Sequence, residues 1–81
     1  MHDHNKLSGL IQQAAKIYLK HAGTYGKMLY DMNASFEKTM LETTLLHFDQ
    51  NISVSAKALG ISRTTLYKKM AFHRIVPSQN S

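Results

Sequence analysis

Asn51-Ile-Ser-Val-Ser-Ala-Lys-Ala-Leu-Gly-Ile-Ser-Arg-Thr-Thr-Leu-Tyr-Lys-Lys-Met70 is the stretch that decides the fold. Ala56, Leu59, Gly60, Ile61 and Leu66 fall where two short crossing helices need a small residue, two apolar flanks, a permissive turn residue and an inward anchor. A side chain larger than Ala56 at the crossing would push the helices apart. Gly60 is expected to end the first helix in the left-handed conformation. Ser62 is expected to cap the next one by accepting a backbone N–H. The stretch therefore reads as a helix-turn-helix, with its helices near residues 53–59 and 63–72. Arg63, Thr64, Thr65, Tyr67, Lys68 and Lys69 are left as outward positions. Such a polar, basic surface suits a helix lying against DNA, because Arg and Lys bind phosphates and Arg can also contact a guanine edge through two hydrogen bonds. The plainer alternative is a two-helix corner with a solvated charged face, but ordinary corners rarely satisfy turn, cap and charge together.

The charge distribution points to the same surface. The 81 residues carry a formal net charge of +5. Up to Asp49, Lys6, Lys16, Lys20, Lys27 and Lys38 balance Asp3, Asp31, Glu37, Glu42 and Asp49. Beyond it stand Lys57, Arg63, Lys68, Lys69 and Arg74 with no acid, so the whole excess lies on the part that holds the motif. A chain this short makes one domain, residues 1–81, with a modest core that oligomerisation would reinforce. Cysteine is absent, which excludes disulfide staples and thiolate zinc sites. The apolar runs are too short to span a bilayer, and Met1-His-Asp-His-Asn-Lys6 lacks the apolar core of a signal peptide, so a cytoplasmic location is expected.

Upstream of the motif the periodicity is helical throughout, and the expected fold class is all-α with four helices. Leu7, Leu10, Ile11, Ala14, Ile17, Tyr18 and His21 form one apolar stripe that begins at Leu7, after six polar residues expected to fray, and ends before Gly23. Gly23-Thr-Tyr-Gly26 breaks the pattern, and a second helix is expected from about residue 27 to about residue 48. One of its faces carries Leu29, Met32, Phe36, Met40 and Thr43, with Leu41, Leu45 and Phe48 to the side. An apolar arc this wide needs more than one partner, which a second copy of the chain would supply. Asp49-Gln-Asn51 punctuates the chain again, and residues 77–81 form a tail with little to hold it.

In these residues the chain resembles the Fis family of bacterial nucleoid-associated DNA-binding proteins. The resemblance is strongest in Ala56, Leu59-Gly-Ile-Ser-Arg63 and Thr65-Leu-Tyr-Lys-Lys-Met70, with support from Leu29-Tyr-Asp-Met32 and Phe36-Glu-Lys-Thr-Met-Leu-Glu42. It implies a homodimer whose paired helix-turn-helix units (residues 49–76) enter adjacent major grooves and bend double-stranded DNA. The two N-terminal helices (residues 7–48) would interlock as the dimer core, with Leu10, Ile11, Leu29, Met32, Phe36, Met40 and Leu41 at the interface. Position by position, Asn51, Ser53, Ser62, Arg63, Thr65, Tyr67, Lys68 and Lys69 would meet DNA. Arg63 would read a guanine edge while the lysines, Thr65, Asn51 and Ser53 position the backbone. The role implied is transcription regulation and nucleoid organisation. Ser62 stands where the family usually has Asn, Asp49 where a basic residue is common, and Tyr67 where Arg is frequent, so weaker binding or a different sequence preference is expected. Thr39 occupies the region of the family's helix-kinking proline. The long N-terminal arm that activates invertases in Fis has no counterpart, and that activity is not implied.

Two other readings compete. One is the C-terminal DNA-binding domain of an NtrC-type activator, which ends in the same motif; the Met just ahead of the first helix and the Leu29-Tyr-Asp-Met32 stretch favour Fis. The other is a helical protein-interaction module whose basic end binds an acidic protein. Nothing points to an enzyme, a cofactor or a small-molecule ligand: there is no Gly-rich phosphate loop and no cysteine nucleophile. His2 and His4 flank Asp3, but a chain end rarely builds a specific metal site. His21 and His47 read as helix-end residues favoured by the dipole, His73 as a surface histidine, and Met28, Met32 and Met40 as adaptable interface filling.

Overall fold

In the computed structural model, residues 3–22 and 26–76 are described. They form four helices: α1 (Asp3–Ala22), α2 (Met28–His47), α3 (Ile52–Leu59) and α4 (Arg63–Phe72), with no strand among the described residues. The all-α expectation holds. α1 begins four residues ahead of Leu7, because no Gly or Pro stops the backbone before the apolar stripe starts. His2, the side chains of Asp3 and His4, the break at residues 23–25 and the tail at residues 77–81 lie outside the described residues or side chains.

The chain divides into two compact units, Met1–Asn33 and Ala34–Ser81, with the boundary inside α2. The first contains no buried side chain among its described residues. One tie between its helices is polar: the Tyr18 hydroxyl donates to Asp31 Oδ2 at 2.7 Å. Leu10 and Leu29 keep 66% and 75% of their surface in water.

The second unit holds the core. Leu41 and Leu45 from α2, Ala56 from α3, and Leu66 and Met70 from α4 are buried together, with Ile52, Leu59, Ile61 and Ile75 packed around them. Ala56 is buried between helices as the crossing-point argument requires. Leu41 differs from its expected place at a dimer interface. At 2% exposure it is already covered by its own chain, because α2 turns positions 41 and 45 toward α3 and α4.

Three successive helices end in the same way. After α3, Ile61 N–H donates to Ala56 O and Gly60 N–H to Lys57 O, with Gly60 at φ 76°. This pair of bonds is the Schellman termination, which satisfies the last carbonyls and needs a left-handed residue. α2 ends with Gln50 N–H to Leu45 O and Asp49 N–H to Leu46 O, and α4 with Ile75 N–H to Met70 O and Arg74 N–H to Ala71 O. There the left-handed positions fall to Asp49 (φ 54°) and Arg74 (φ 59°), where a Cβ is strained. Ile61 and Ile75, just past the left-handed residue, fold back onto the core. Arg74→Gly is therefore expected to raise stability by about 1 kcal/mol, or about 4–8 °C in Tm for a domain of this size. A thermal melt with Tm unchanged or lowered would show that the turn carries no strain.

Candidate nucleic-acid interface

The turn before α4 is built by short-range chemistry. Ser62 is extended (φ −76°, ψ 161°), and its Oγ accepts from Thr65 N–H at 3.0 Å while its hydroxyl lies 3.0 Å from Thr65 Oγ1 and donates to it. The predicted cap is in place. α3 has its own cap, which the sequence reading missed: Asn51 Oδ1 accepts from Val54 N–H at 3.0 Å. An Asn directly before an apolar run was the signal. The cap uses only the Asn51 oxygen, so its amide N–H groups can still donate.

Helical periodicity sorts the residues of α4. Leu66 and Met70 face the core, and His73, capping the helix, is buried beside them. Thr64, Tyr67, Lys68 and Ala71 are exposed on the opposite arc, and Arg63, the first residue of the helix, is exposed at the edge of that arc. Thr65 and Lys69 lie at the border, half-buried. Neither α3 nor α4 carries an acidic residue in its first turn, so nothing opposes the partial positive charge of the helix N-terminus near Arg63.

The border is held by Glu37. Its Oε2 accepts from Lys69 Nζ at 2.7 Å, and its Oε1 lies 2.8 Å from His73 Nε2. Lys69 and His73 are four apart and so occupy one stripe of α4. Both were read otherwise in sequence, Lys69 as an outward contact and His73 as a surface residue. The His73 reading is overturned: the residue is 8% exposed because the last turn of α4 packs toward α2. The sequence carried no signal for Glu37, which stands 32 and 36 residues from its partners.

Hydrogen bonds first from Lys69 and then from His73 hold the Glu37 carboxyl below the usual range for glutamate. A carboxylate whose pKa is lower folded than unfolded adds stability that is full above its unfolded value and lost as pH falls through the folded one. Urea melts of the wild type and Glu37→Gln are expected to differ most near neutrality and to converge below about pH 4. A constant difference across that range would mean that the carboxylate charge contributes nothing.

Residues 34–72 match the family model described as bacterial regulatory protein, Fis family. They form a Fis-family helix-turn-helix. The matched stretch starts at Ala34, where the second compact unit begins, and ends at Phe72, the last residue of α4. Comparison with curated proteins and with solved structures gives no match. The Fis-family helix-turn-helix is a DNA-binding unit, so the exposed arc of α4 is the surface to weigh against DNA. Of the residues expected to meet it, Ser53, Arg63, Tyr67 and Lys68 are exposed; Asn51 and Ser62 are exposed but also serve as caps, Thr65 is half-buried and gives its N–H to the Ser62 cap, and Lys69 is paired with Glu37. Of the residues expected at a dimer interface, Leu10, Ile11, Leu29, Phe36 and Met40 are exposed, Met32 is half-buried and Leu41 is buried. No described helix is long and apolar enough to cross a membrane.

Proposed function

We propose that this chain is a homodimeric, Fis-like regulator that inserts α4 of each protomer into adjacent major grooves, bends the duplex and acts in transcription regulation and nucleoid organisation. The observation that carries the reading is the exposed arc of Arg63, Tyr67 and Lys68 on the second helix of a Fis-family motif. Arg63 reads a base edge, and Lys68, Ser53 and the Asn51 amide position the backbone. The dimer is supported by the absence of any buried side chain among the described residues of the first unit, since an unburied helix face needs a partner. In this reading residues 7–48 pair the protomers and residues 49–76 read DNA, with no catalytic step.

Binding to a mixed-sequence duplex between 50 and 200 mM salt tests the function. A dimer neutralising about 6–10 phosphates loses about 10³–10⁵ in affinity over that range. A flat response, or no binding, favours the protein-interaction module instead. Sedimentation tests the assembly: a dimer at micromolar concentration is expected, and Phe36→Glu should shift it toward monomer. A folded wild-type monomer would remove the dimer. The family match covers only residues 34–72, a motif shared with NtrC-type activators, so a C-terminal domain of such an activator is the second reading. The length of the natural gene product separates the two.

A further inference from the structure

The two oxygens of Glu37 face different environments. Oε1 meets the His73 ring, whose side chain is 5% exposed, so the carboxylate is anchored on that side to a group that packing holds in place. Oε2 meets Lys69, whose side chain keeps 37% of its surface in water. A flexible lysine is thus held by an acceptor that is already oriented, which spares much of the entropy cost of a surface ion pair. Lys68, the residue before Lys69, points about 100° away round the helix, onto the exposed arc that Arg63 borders. The Fis-family motif therefore presents two neighbouring lysines in different electrostatic states: one beside a carboxylate, the other without an acidic partner among the described residues.

Resting on the DNA-binding reading above, we propose that Glu37 is a positioning residue that withholds Lys69 from the phosphate backbone, leaving Arg63 and Lys68 as the basic contacts of α4. Two consequences follow for binding. The general, sequence-independent attraction of α4 is reduced by one phosphate contact per protomer, and the share carried by Arg63 rises accordingly. Glu37 also ties α4 to α2 through His73, so the helix that enters the groove is oriented by the group that removes Lys69 from it.

The test uses a mixed-sequence duplex and the whole chain. Glu37→Gln is expected to bind more tightly at low salt, and the slope of log K against log salt should steepen by about 0.9 per protomer, the value of one added phosphate contact. The double variant Glu37→Gln with Lys69→Ala should return to the wild-type slope. A Glu37→Gln slope equal to or shallower than the wild type overturns the proposal. A second measurement needs no variant: acylation of lysines in the wild-type chain with and without the duplex. DNA should protect Lys68 and leave the rate at Lys69 unchanged, whereas protection of Lys69 by DNA overturns the proposal even if Glu37→Gln fails to fold. Absence of wild-type binding at low salt would overturn the DNA reading and this inference together; intact binding with Lys69 protected overturns the inference alone.

Discussion

Leu66→Ala is expected to cost about 2–5 kcal/mol and to leave the DNA-binding unit largely unfolded near neutral pH. Leu66 is 0% exposed and shares its surroundings with Leu41, Leu45, Ala56 and Met70, the other buried apolar residues of that unit. Shortening it removes the anchor of α4 and opens a cavity that helices held by three tight turns cannot readily collapse to fill. A unit of this size has a total stability of only about 2–7 kcal/mol, so one such loss consumes most of it. Urea unfolding followed by circular dichroism is the measurement. A loss below about 1 kcal/mol would mean that the core tolerates the void and that Leu66 is not its anchor. DNA binding by this variant should fall on every sequence alike, since the folded fraction is what changes.

Arg63→Ala should behave in the opposite way. Arg63 is exposed at the first position of α4, so its removal leaves the core, the Ser62 cap and the melting curve nearly intact. Affinity for a preferred site is expected to fall by about 1–3 kcal/mol, roughly 5- to 150-fold, while binding to shuffled DNA falls less, because a lost base contact matters only where the base is right. Lys68→Ala, a phosphate contact in the proposed arrangement, should weaken both duplexes similarly. Binding isotherms on a site selected from random oligonucleotides and on its shuffled version separate the outcomes. Equal losses on both for Arg63→Ala would remove the base-reading role from this residue. Leu66 and Arg63 together distinguish a motif that fails to bind because it is unfolded from one that is folded but has lost its specificity.

The parts of the motif that were legible in advance are those governed by residues within one turn of each other. Gly60 is left-handed and Ser62 caps α4, both within a few residues of the bonds that require them. The Asn51 cap obeys the same rule and had an equally local signal. Asp49 and Arg74 were not legible as left-handed positions, because Asp only tolerates that conformation better than most residues and an arginine has no preference for it; the packing of Ile75, and the turn from α2 into α3, impose it. The wide apolar arc of α2 was visible, but not its division. Leu41 and Leu45 are consumed by α3 and α4, while Phe36 and Met40 stay exposed for whatever the helix meets next.

By itself, the sequence determined four helices, a helix-turn-helix with its turn and cap, and a net positive charge confined to the part of the chain that carries them. These follow from periodicity, backbone sterics and the count of ionised groups, none of which depends on distant residues. Only the tertiary structure decided which basic residues of α4 face outward. Lys68 and Lys69 are indistinguishable as neighbours in a sequence, and they separate only when folding brings Glu37 within 2.7 Å of one of them. Coulomb attraction and hydrogen bonding act through space, so a partner 32 residues away has no local trace until the core of Leu41, Leu45 and Leu66 has set α2 against α4.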